Sequence, residues 1–209
     1  MVSEVGADYL GVLVHVPASP RSLTVEQAKA IVASSALPVI LLTFDLKPDR
    51  VIGLADELSP FGVQLAGNES ETDVSNLKTS LGCEIWKTLH IPADGTREMD
   101  LRRALDQIKH FTEAGADRIV LDSSVMKGTA IQKGGTGRSF DWSLARTIKD
   151  KAGTSFFLAG GIKPDNVGDA LMQVNPDGID VSSGVEEAVG KKNSELVKRL
   201  VDTVRKQKT

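Results

Sequence analysis

The feature that most limits the fold of this chain is a regular alternation of two apolar patterns. Seven short runs are apolar and rich in β-branched residues, and a stretch with apolar residues at helical spacing follows each of them. The predicted strands span 8–16, 38–44, 61–67, 83–91, 116–123, 155–162 and 178–185. The predicted helices span 24–34, 48–58, 72–81, 99–114, 140–152, 164–173 and 194–206. Strict alternation of this kind predicts an α/β fold with a parallel sheet covered by helices.

Local signals support several of the helix starts. Thr24 can cap the residues that follow it, and Pro48 and Pro164 suit the first turn of a helix. Asp165 adds a negative charge at the start of the sixth predicted helix.

The positions of the glycines separate the two folds that alternate in this way. In an open doubly wound sheet the glycine-rich phosphate loop normally follows the first strand. Here the glycines come late, because LAGG (158–161) ends the sixth predicted strand and SSG (182–184) ends the seventh. Barrels often bind phosphate after strands seven and eight. We therefore predict a TIM (βα)8 barrel in one domain over residues 1–209, with seven recognisable strand–helix units.

By this count the first strand and most of the first helix of the barrel are missing. The segment VSEVGAD at residues 2–8 is then interpreted as the last turn of a helix whose strand would lie upstream of Met1.

Composition excludes several classes of function. The chain has 209 residues, of which 41% are hydrophobic and 25% charged, and no apolar run approaches the roughly 18 residues of a membrane span. Its net charge of -3 is spread along the chain, which argues against nucleic-acid binding. The single cysteine, Cys83, excludes an internal disulfide, and the N-terminus lacks the pattern of a secretory signal. These features predict a cytoplasmic protein without nucleic-acid or membrane partners.

Several motifs resemble those of the phosphoribosylanthranilate isomerase family, in the right order and over nearly the whole chain. They are GADYLG, SPR followed by TVEQA, VQLAGNES, LDS, GGTGRSFDW, LAGGIKPDNV and DVSSGVE. The resemblance implies a cofactor-free barrel enzyme of tryptophan biosynthesis. Its reaction is an Amadori rearrangement of N-(5-phosphoribosyl)anthranilate to the corresponding 1-deoxyribulose 5-phosphate. The expected ligand is therefore a small phosphorylated sugar.

The reaction needs an acid at the ribose ring oxygen and a base at the adjacent carbon. Asp122 ends the apolar strand IVLDS and matches the family's general acid. To donate a proton near neutrality its pKa must rise from about 3.9, which burial can achieve. The structural alternative is a carboxylate that caps the following loop.

The resemblance also assigns substrate-binding residues. Arg21 matches the arginine that holds the anthranilate carboxylate, although a surface arginine that closes a loop is an alternative. The residues expected to cradle the 5-phosphate are Gly160, Gly161, Ser182, Ser183 and Gly184. Tight turns would also use glycine at these positions.

Three further features leave their roles open. Asp180 is expected to point into the mouth of the barrel, because Val181 beside it should face the helices, and it either orients ligand or satisfies buried amides. His15 and His90 lie near strand ends, where a histidine is commonly structural. The GGTG segment (134–137) matches a loop that closes over substrate, and a mobile connector formed with the polar stretch 124–133 is the alternative.

The chain departs from the family at the general base, which in the family is a cysteine in a Lys-Ile-Cys-Gly run on the first strand. No such run is present, and Cys83 begins the fourth predicted strand, which places it at the end of the barrel opposite the chemistry. We interpret Cys83 as a small buried residue. Ala66 also stands where the family commonly has histidine.

Three accounts of this departure are open. In the first account, which we favour, Met1 is an internal methionine of a longer chain. In the second, another group such as His15, His90 or Asp45 serves as the base, for this or another sugar phosphate. In the third account the chain is a phosphosugar-binding or regulatory relative without the activity. A missing strand would leave unpaired sheet edges, which predicts association between copies.

Overall fold

The computed structural model of the protein describes residues 3–92, 101–127, 130–133 and 141–207. The predicted alternation is confirmed, because each predicted strand overlaps an observed strand and each predicted helix overlaps an observed helix. In the first part of the chain the elements are β1 (Leu10–Leu13), α1 (Val25–Ser34), β2 (Val39–Thr43), α2 (Pro48–Leu58), β3 (Gly62–Leu65), α3 (Glu71–Ser80), β4 (Glu84–Pro92) and α4 (Leu101–Glu113). The later elements are β5 (Arg118–Lys127), β6 (Ala130–Lys133), α5 (Trp142–Ala152), β7 (Phe156–Leu158), α6 (Val167–Val174), β8 (Gly178–Ile179), a 3-10 turn (Ser183–Val185), β9 (Glu186–Ala188), β10 (Lys191–Lys192) and α7 (Ser194–Gln207).

Two of the predicted helix starts are confirmed and one is wrong. Thr24 caps α1 in a capping box, in which its hydroxyl accepts from the Gln27 N–H at 3.2 Å. Pro48 is the first residue of α2. Pro164 lies before α6, which begins three residues later at Val167 because the Asn166 side chain holds the preceding residues in a turn. In that turn Asn166 Oδ1 accepts from the Lys163 N–H at 2.8 Å.

The chain divides into two compact units, and the first comprises residues 1–88 and 110–118. Within it β1, β2, β3 and the start of β4 pair in parallel in chain order, with Gly11 opposite Ile40, Ile40 opposite Gly62 and Gly62 opposite Glu84. The Asp117 N–H, just before β5, donates to the Ile85 carbonyl at 2.7 Å. The core of this unit is formed by apolar side chains of strands and helices, including Val39, Leu41, Val63, Leu65, Ile85, Val51, Leu54, Val74 and Leu77.

The second unit comprises residues 89–109 and 119–209. Its parallel strands are β5, β7 and β8, with Leu121 opposite Leu158 and Leu158 opposite Ile179. Its buried apolar residues include Ile119, Leu121, Phe156, Leu158, Ala145, Ile148, Val167, Ala170 and Val174. Two short antiparallel strands, β9 and β10, form a hairpin after the 3-10 turn.

The structure corrects three predicted strand ends in this unit. β7 ends at Leu158 and not at Ile162. β5 does not stop at Ser123 but continues to Lys127, and β6 returns beside it in an antiparallel pair that places Ser124 opposite Lys133. The polar stretch expected to be a long connector is therefore partly a β-ribbon. β8 ends at Ile179 and not at Val185, because the backbone leaves the extended conformation at Ser182, where ψ is −83°, and enters the 3-10 turn.

Candidate active site

Asp122 lies on β5 at the point where parallel pairing ends. Leu121 is the last residue of β5 opposite β7, and beyond it β5 pairs with β6. Asp122 therefore occupies the carboxyl end of the parallel part of its strand, although it does not end β5 itself as the sequence predicted. Its Oδ1 accepts a hydrogen bond from the Ser123 N–H at 2.7 Å. The carboxylate is thus bonded to the main chain of the next residue, and Asp122 also lines a pocket.

The environment of Asp122 favours the protonated acid. Burial in the wall of the pocket, and then the negative charge of Asp180, raise the pKa of Asp122 from 3.8 to about 7, against the opposing effect of the hydrogen bond from Ser123. A carboxyl with a pKa near 7 is half protonated at neutral pH, which suits a general acid.

The pocket is a shallow cavity that is partly open to solvent. Three segments of the second unit contribute its lining, which consists of Asp122, Ala159, Gly160, Gly161, Ile162, Asp180, Val181, Ser182, Ser183 and Gly184. The structure therefore brings together seven of the eight residues that the sequence predicted for the site. The charged side chains among them are the two carboxylates, because the other lining residues are apolar, hydroxylated or glycine.

Gly160 is required by the close approach of two strand ends. Its φ is +82°, and a Cβ there would lie 2.7 Å from both the N and Oγ atoms of Ser123. Gly161 follows with φ +67°, and its carbonyl accepts from the Asn166 side-chain amide at 3.0 Å. The LAGG segment thus lies directly against the residue that follows Asp122.

Gly184 is required by a second close approach within the same rim. A Cβ at residue 184 would overlap the Ile162 carbonyl and approach the backbone of Lys163. The SSG segment thus packs on the chain just after LAGG. Packing therefore demands glycine at Gly160 and Gly184, and phosphate binding by the two segments stays a prediction.

Asp180 lines the pocket, as expected, but so does Val181, which the sequence placed toward the helices. The alternation of side chains that this prediction assumed does not extend so far, because β8 already ends at Ile179. The Asp180 N–H donates to the Leu158 carbonyl at 2.9 Å, which fixes the start of the segment beside β7.

The remaining candidates belong mainly to the first unit. Arg21 is half-buried in the turn after β1, where its N–H donates to Ser19 Oγ at 3.3 Å. Asp45, with φ +52°, serves the neighbouring loop, because its carboxylate accepts from the Asn68 side-chain amide at 3.2 Å. His15 is exposed with φ +56°. His90 is a half-buried residue of β4 in the second unit.

Cys83 precedes β4, at the amino end of that strand, as predicted. It is half-buried rather than fully buried, and burial raises the pKa of its thiol. The GGTG segment at 134–137 lies outside the described residues.

Sequence reasoning missed two lysines beside strand ends. Lys87 is a buried residue of β4 whose Nζ donates to Glu69 Oε2 at 3.0 Å. Lys192 in β10 donates to the Ser182 carbonyl at 2.8 Å. A lysine inside the apolar run EIWKTLHI is a signal for the first of them, whereas no local pattern indicates the second.

Two classes of feature are absent from the part of the chain that the structure describes. It contains no helix long and apolar enough to cross a membrane. Within the same ranges no three His, Cys, Asp or Glu side chains are grouped as a metal site would need.

Comparison with known proteins gives a consistent result. The family model described as "N-(5'phosphoribosyl)anthranilate (PRA) isomerase" matches residues 1–203. N-(5'-phosphoribosyl)anthranilate isomerase 1 of Methanosarcina mazei is 32% identical over 98% of this chain and 88% of its own length. The N-(5'-phosphoribosyl)anthranilate isomerase of Pyrococcus furiosus superposes with a TM-score of 0.81 at 26% identity, covering 98% of this chain and 92% of that one.

A third protein of this kind has been solved with a ligand. Phosphoribosylanthranilate isomerase in complex with reduced 1-(o-carboxyphenylamino)-1-deoxyribulose 5-phosphate superposes with a TM-score of 0.78 at 26% identity, covering 98% of this chain and 91% of that one. These similarities confirm the predicted (βα)8 barrel class and the predicted family. The chain belongs to the N-(5'-phosphoribosyl)anthranilate isomerase family.

Proposed function

We propose that this chain isomerises N-(5'-phosphoribosyl)anthranilate to 1-(2-carboxyphenylamino)-1-deoxyribulose 5-phosphate, with Asp122 as the general acid. The observation that carries the assignment is a carboxyl with a pKa of about 7 in the same pocket as the two glycine-containing segments. A sugar phosphate bound with its 5-phosphate on Gly160, Gly161 and residues 182–184 would hold its furanose ring over that pocket.

The proton of Asp122 passes to the ribose ring oxygen as the bond between that oxygen and C1 breaks. The aniline nitrogen supplies the electron pair, and the product of this step is an open-chain Schiff base with a positive charge on nitrogen. Loss of the proton on C2 gives the enol amine, and its ketone form is the product. No external oxidant or reductant takes part, because C1 is reduced as C2 is oxidised.

Asp180 contributes its charge in this proposal. Burial is the main cause of the raised pKa of Asp122, and the negative charge of Asp180 adds to it. The same charge would stabilise the cationic Schiff base that forms in the pocket. The group that removes the C2 proton is not assigned. Cys83 is unsuitable, because it precedes β4 at the amino end of that strand.

The roles implied for other features stay predictions. These are the binding of the anthranilate carboxylate by Arg21, a single domain over residues 1–209, a cytoplasmic location and association between copies. A second candidate function is binding of the phosphorylated sugar without turnover. It is favoured by the lining of the pocket, which combines the glycine segments with two carboxylates and includes no cysteine.

The test follows the loss of anthranilate-type fluorescence on incubation of the purified chain with N-(5'-phosphoribosyl)anthranilate. We expect turnover, and we expect Asp122→Asn to reduce kcat by about 10²- to 10⁴-fold, the range for loss of a general acid. Turnover that survives in Asp122→Asn would overturn the assignment of the acid. Binding of the reduced product analogue without turnover, both in this chain and in a version extended by the codons upstream of Met1, would establish the second candidate.

A further inference from the structure

Lys192 places its ammonium group against the rim of the pocket. Its Nζ lies 2.8 Å from the carbonyl oxygen of Ser182, 3.4 Å from Ser182 Oγ and 3.0 Å from Glu186 Oε1. Ser182 lines the pocket together with Asp122 and Asp180. The β9–β10 hairpin is what brings Lys192 back to a residue ten positions earlier in the chain.

The neighbouring lysine shows what an ordinary surface pair looks like on this hairpin. Lys191 forms an ion pair with Glu187 in which the side chains are 73% and 40% exposed. For Lys192 and Glu186 the corresponding values are 32% and 6%. An ion pair this enclosed, which also donates to a main-chain carbonyl, is more ordered and less screened than a surface pair.

Ser182 needs such a contact. Its φ of −120° and ψ of −83° lie outside the helical and extended regions that most residues adopt. A conformation of this kind persists when surrounding contacts hold it. The hydrogen bond from Lys192 fixes the Ser182 carbonyl, and thereby the orientation of the peptide that leads into Ser183 and Gly184.

The charge of the pocket gives Lys192 a second effect. The ten residues that line the pocket include two carboxylates and no cation. A positive charge close to the rim would offset the repulsion between these carboxylates and a bound phosphate group.

We propose that Lys192 is a positioning residue for the phosphate of the ligand, which it favours by orienting the Ser182 peptide and by supplying positive charge behind it. This inference rests on the proposed function, because it takes the ligand to be a phosphorylated sugar. Glu186 moderates the effect by neutralising part of the Lys192 charge.

The experiment compares Lys192→Met with Lys191→Met, a matched control on the adjacent residue of the same strand. The probe is the reduced product analogue, titrated by calorimetry, with inorganic phosphate as a competitor. We expect Kd for the analogue to rise at least about tenfold in Lys192→Met, the loss typical of one charge-assisted hydrogen bond, and to stay within about twofold in Lys191→Met. Lys192→Arg should restore most of the affinity.

Where turnover is measurable, Lys192→Met should raise KM while kcat changes little, a separation that general destabilisation of the fold would not produce. Equal affinities of Lys192→Met and the parent chain would overturn the inference. If the parent chain binds neither probe, the proposed function fails, which is a different outcome from equal binding by parent and variant.

Glu186→Gln tests the same idea without removing the lysine, so it remains informative if Lys192→Met does not fold. Because Glu186 no longer offsets the ammonium charge in this variant, we expect the analogue and inorganic phosphate to bind more tightly, by roughly two- to fivefold. Weaker binding in Glu186→Gln would contradict a charge effect from Lys192.

Discussion

The carboxyl end of β3, with the part of β4 that pairs with it in the first unit, and the pocket of the second unit hold buried charge in opposite ways. Lys87 and Glu69 are 2% and 3% exposed, and they form an ion pair 3.0 Å long. The Lys87 ammonium also donates to the carbonyls of Leu65, Gly67 and Thr88 at 2.9 to 3.1 Å. The other oxygen of Glu69 accepts from the N–H groups of Asp45 and Gly67. Every charge there has its partner.

In the pocket, by contrast, two carboxylates of like charge line one cavity, and one of them is held near its point of half protonation. The two regions show that a buried charge can be fixed by a counter-charge or held near its point of ionisation. The deciding factor is whether a buried charge is neutralised by an opposite charge or opposed by a like one.

The largest expected effect comes from breaking the neutralised pair. Lys87→Met leaves the Glu69 carboxylate buried without its cation, and we expect the free energy of unfolding to fall by about 3–5 kcal/mol. Urea denaturation at pH 7 measures the change. Adding Glu69→Gln to Lys87→Met should recover part of the loss, because a glutamine carbonyl still accepts from Asp45 and Gly67. If Lys87→Met were as stable as the parent chain, the ion pair between Lys87 and Glu69 would not be what stabilises this region.

Local features of the structure could be predicted from the sequence, whereas contacts between distant parts of the chain could not. Strand and helix periodicity located all fourteen principal elements, and Thr24 and Pro48 marked helix starts because capping and proline geometry are local properties. The pairing of β5 with β6 was missed because antiparallel return depends on a turn and not on apolar period. The ion pair of Glu69 with Lys87 was missed because these residues meet only through tertiary folding. The contact of Lys192 with Ser182 was missed because it depends on the β9–β10 hairpin, which the apolar pattern does not indicate.

The site shows the same division between local and long-range information. Asp122, Asp180 and the glycine segments were found because residues at the ends of parallel strands converge on one edge of the sheet. The pKa of Asp122 could be argued only in direction from the sequence, because its causes are burial and a charge 58 positions along the chain. The exposure of Val181 to the pocket was missed because β8 is shorter than its apolar pattern.

A second prediction concerns the energetic cost of the opposed charges. In the unfolded chain the Asp122 carboxyl ionises near pH 4, whereas in the folded chain its raised pKa keeps the proton bound until about pH 7. The folded state therefore loses stability as pH rises from about 4 to about 7, and the loss is then constant. Asp122→Asn removes this pH-dependent loss of stability. At pH 8 we therefore expect its free energy of unfolding, measured by urea denaturation, to exceed that of the parent chain by up to about 4 kcal/mol.

The two proteins should show no such difference below pH 4, where the carboxyl is protonated in both states. Asn at this position can still accept the hydrogen bond from Ser123. Equal stability of parent and variant at pH 8 would mean that the Asp122 carboxyl ionises freely in the folded chain, and the contrast between the two regions would then disappear.

The smallest expected effect isolates the like-charge interaction itself. Asp180→Asn removes the negative charge that helps to raise the pKa of Asp122, while burial, the larger cause, remains. We therefore expect the midpoint of the Asp122 titration to move toward lower pH, without returning to the ordinary pKa of an aspartate. Carbon-detected NMR of the aspartate carboxyls measures this directly and does not depend on turnover. A shift toward higher pH would contradict the assigned role of Asp180.

The interlocked glycines bear on how this protein could be redesigned. The chain itself fills the places where side chains at residues 160 and 184 would go, so a library randomised at these two positions would consist mainly of misfolded variants. Ser182 and Ser183 carry no such restriction. A library selected for binding of a ligand with a different anionic group should therefore be randomised at Ser182, Ser183 and Lys192.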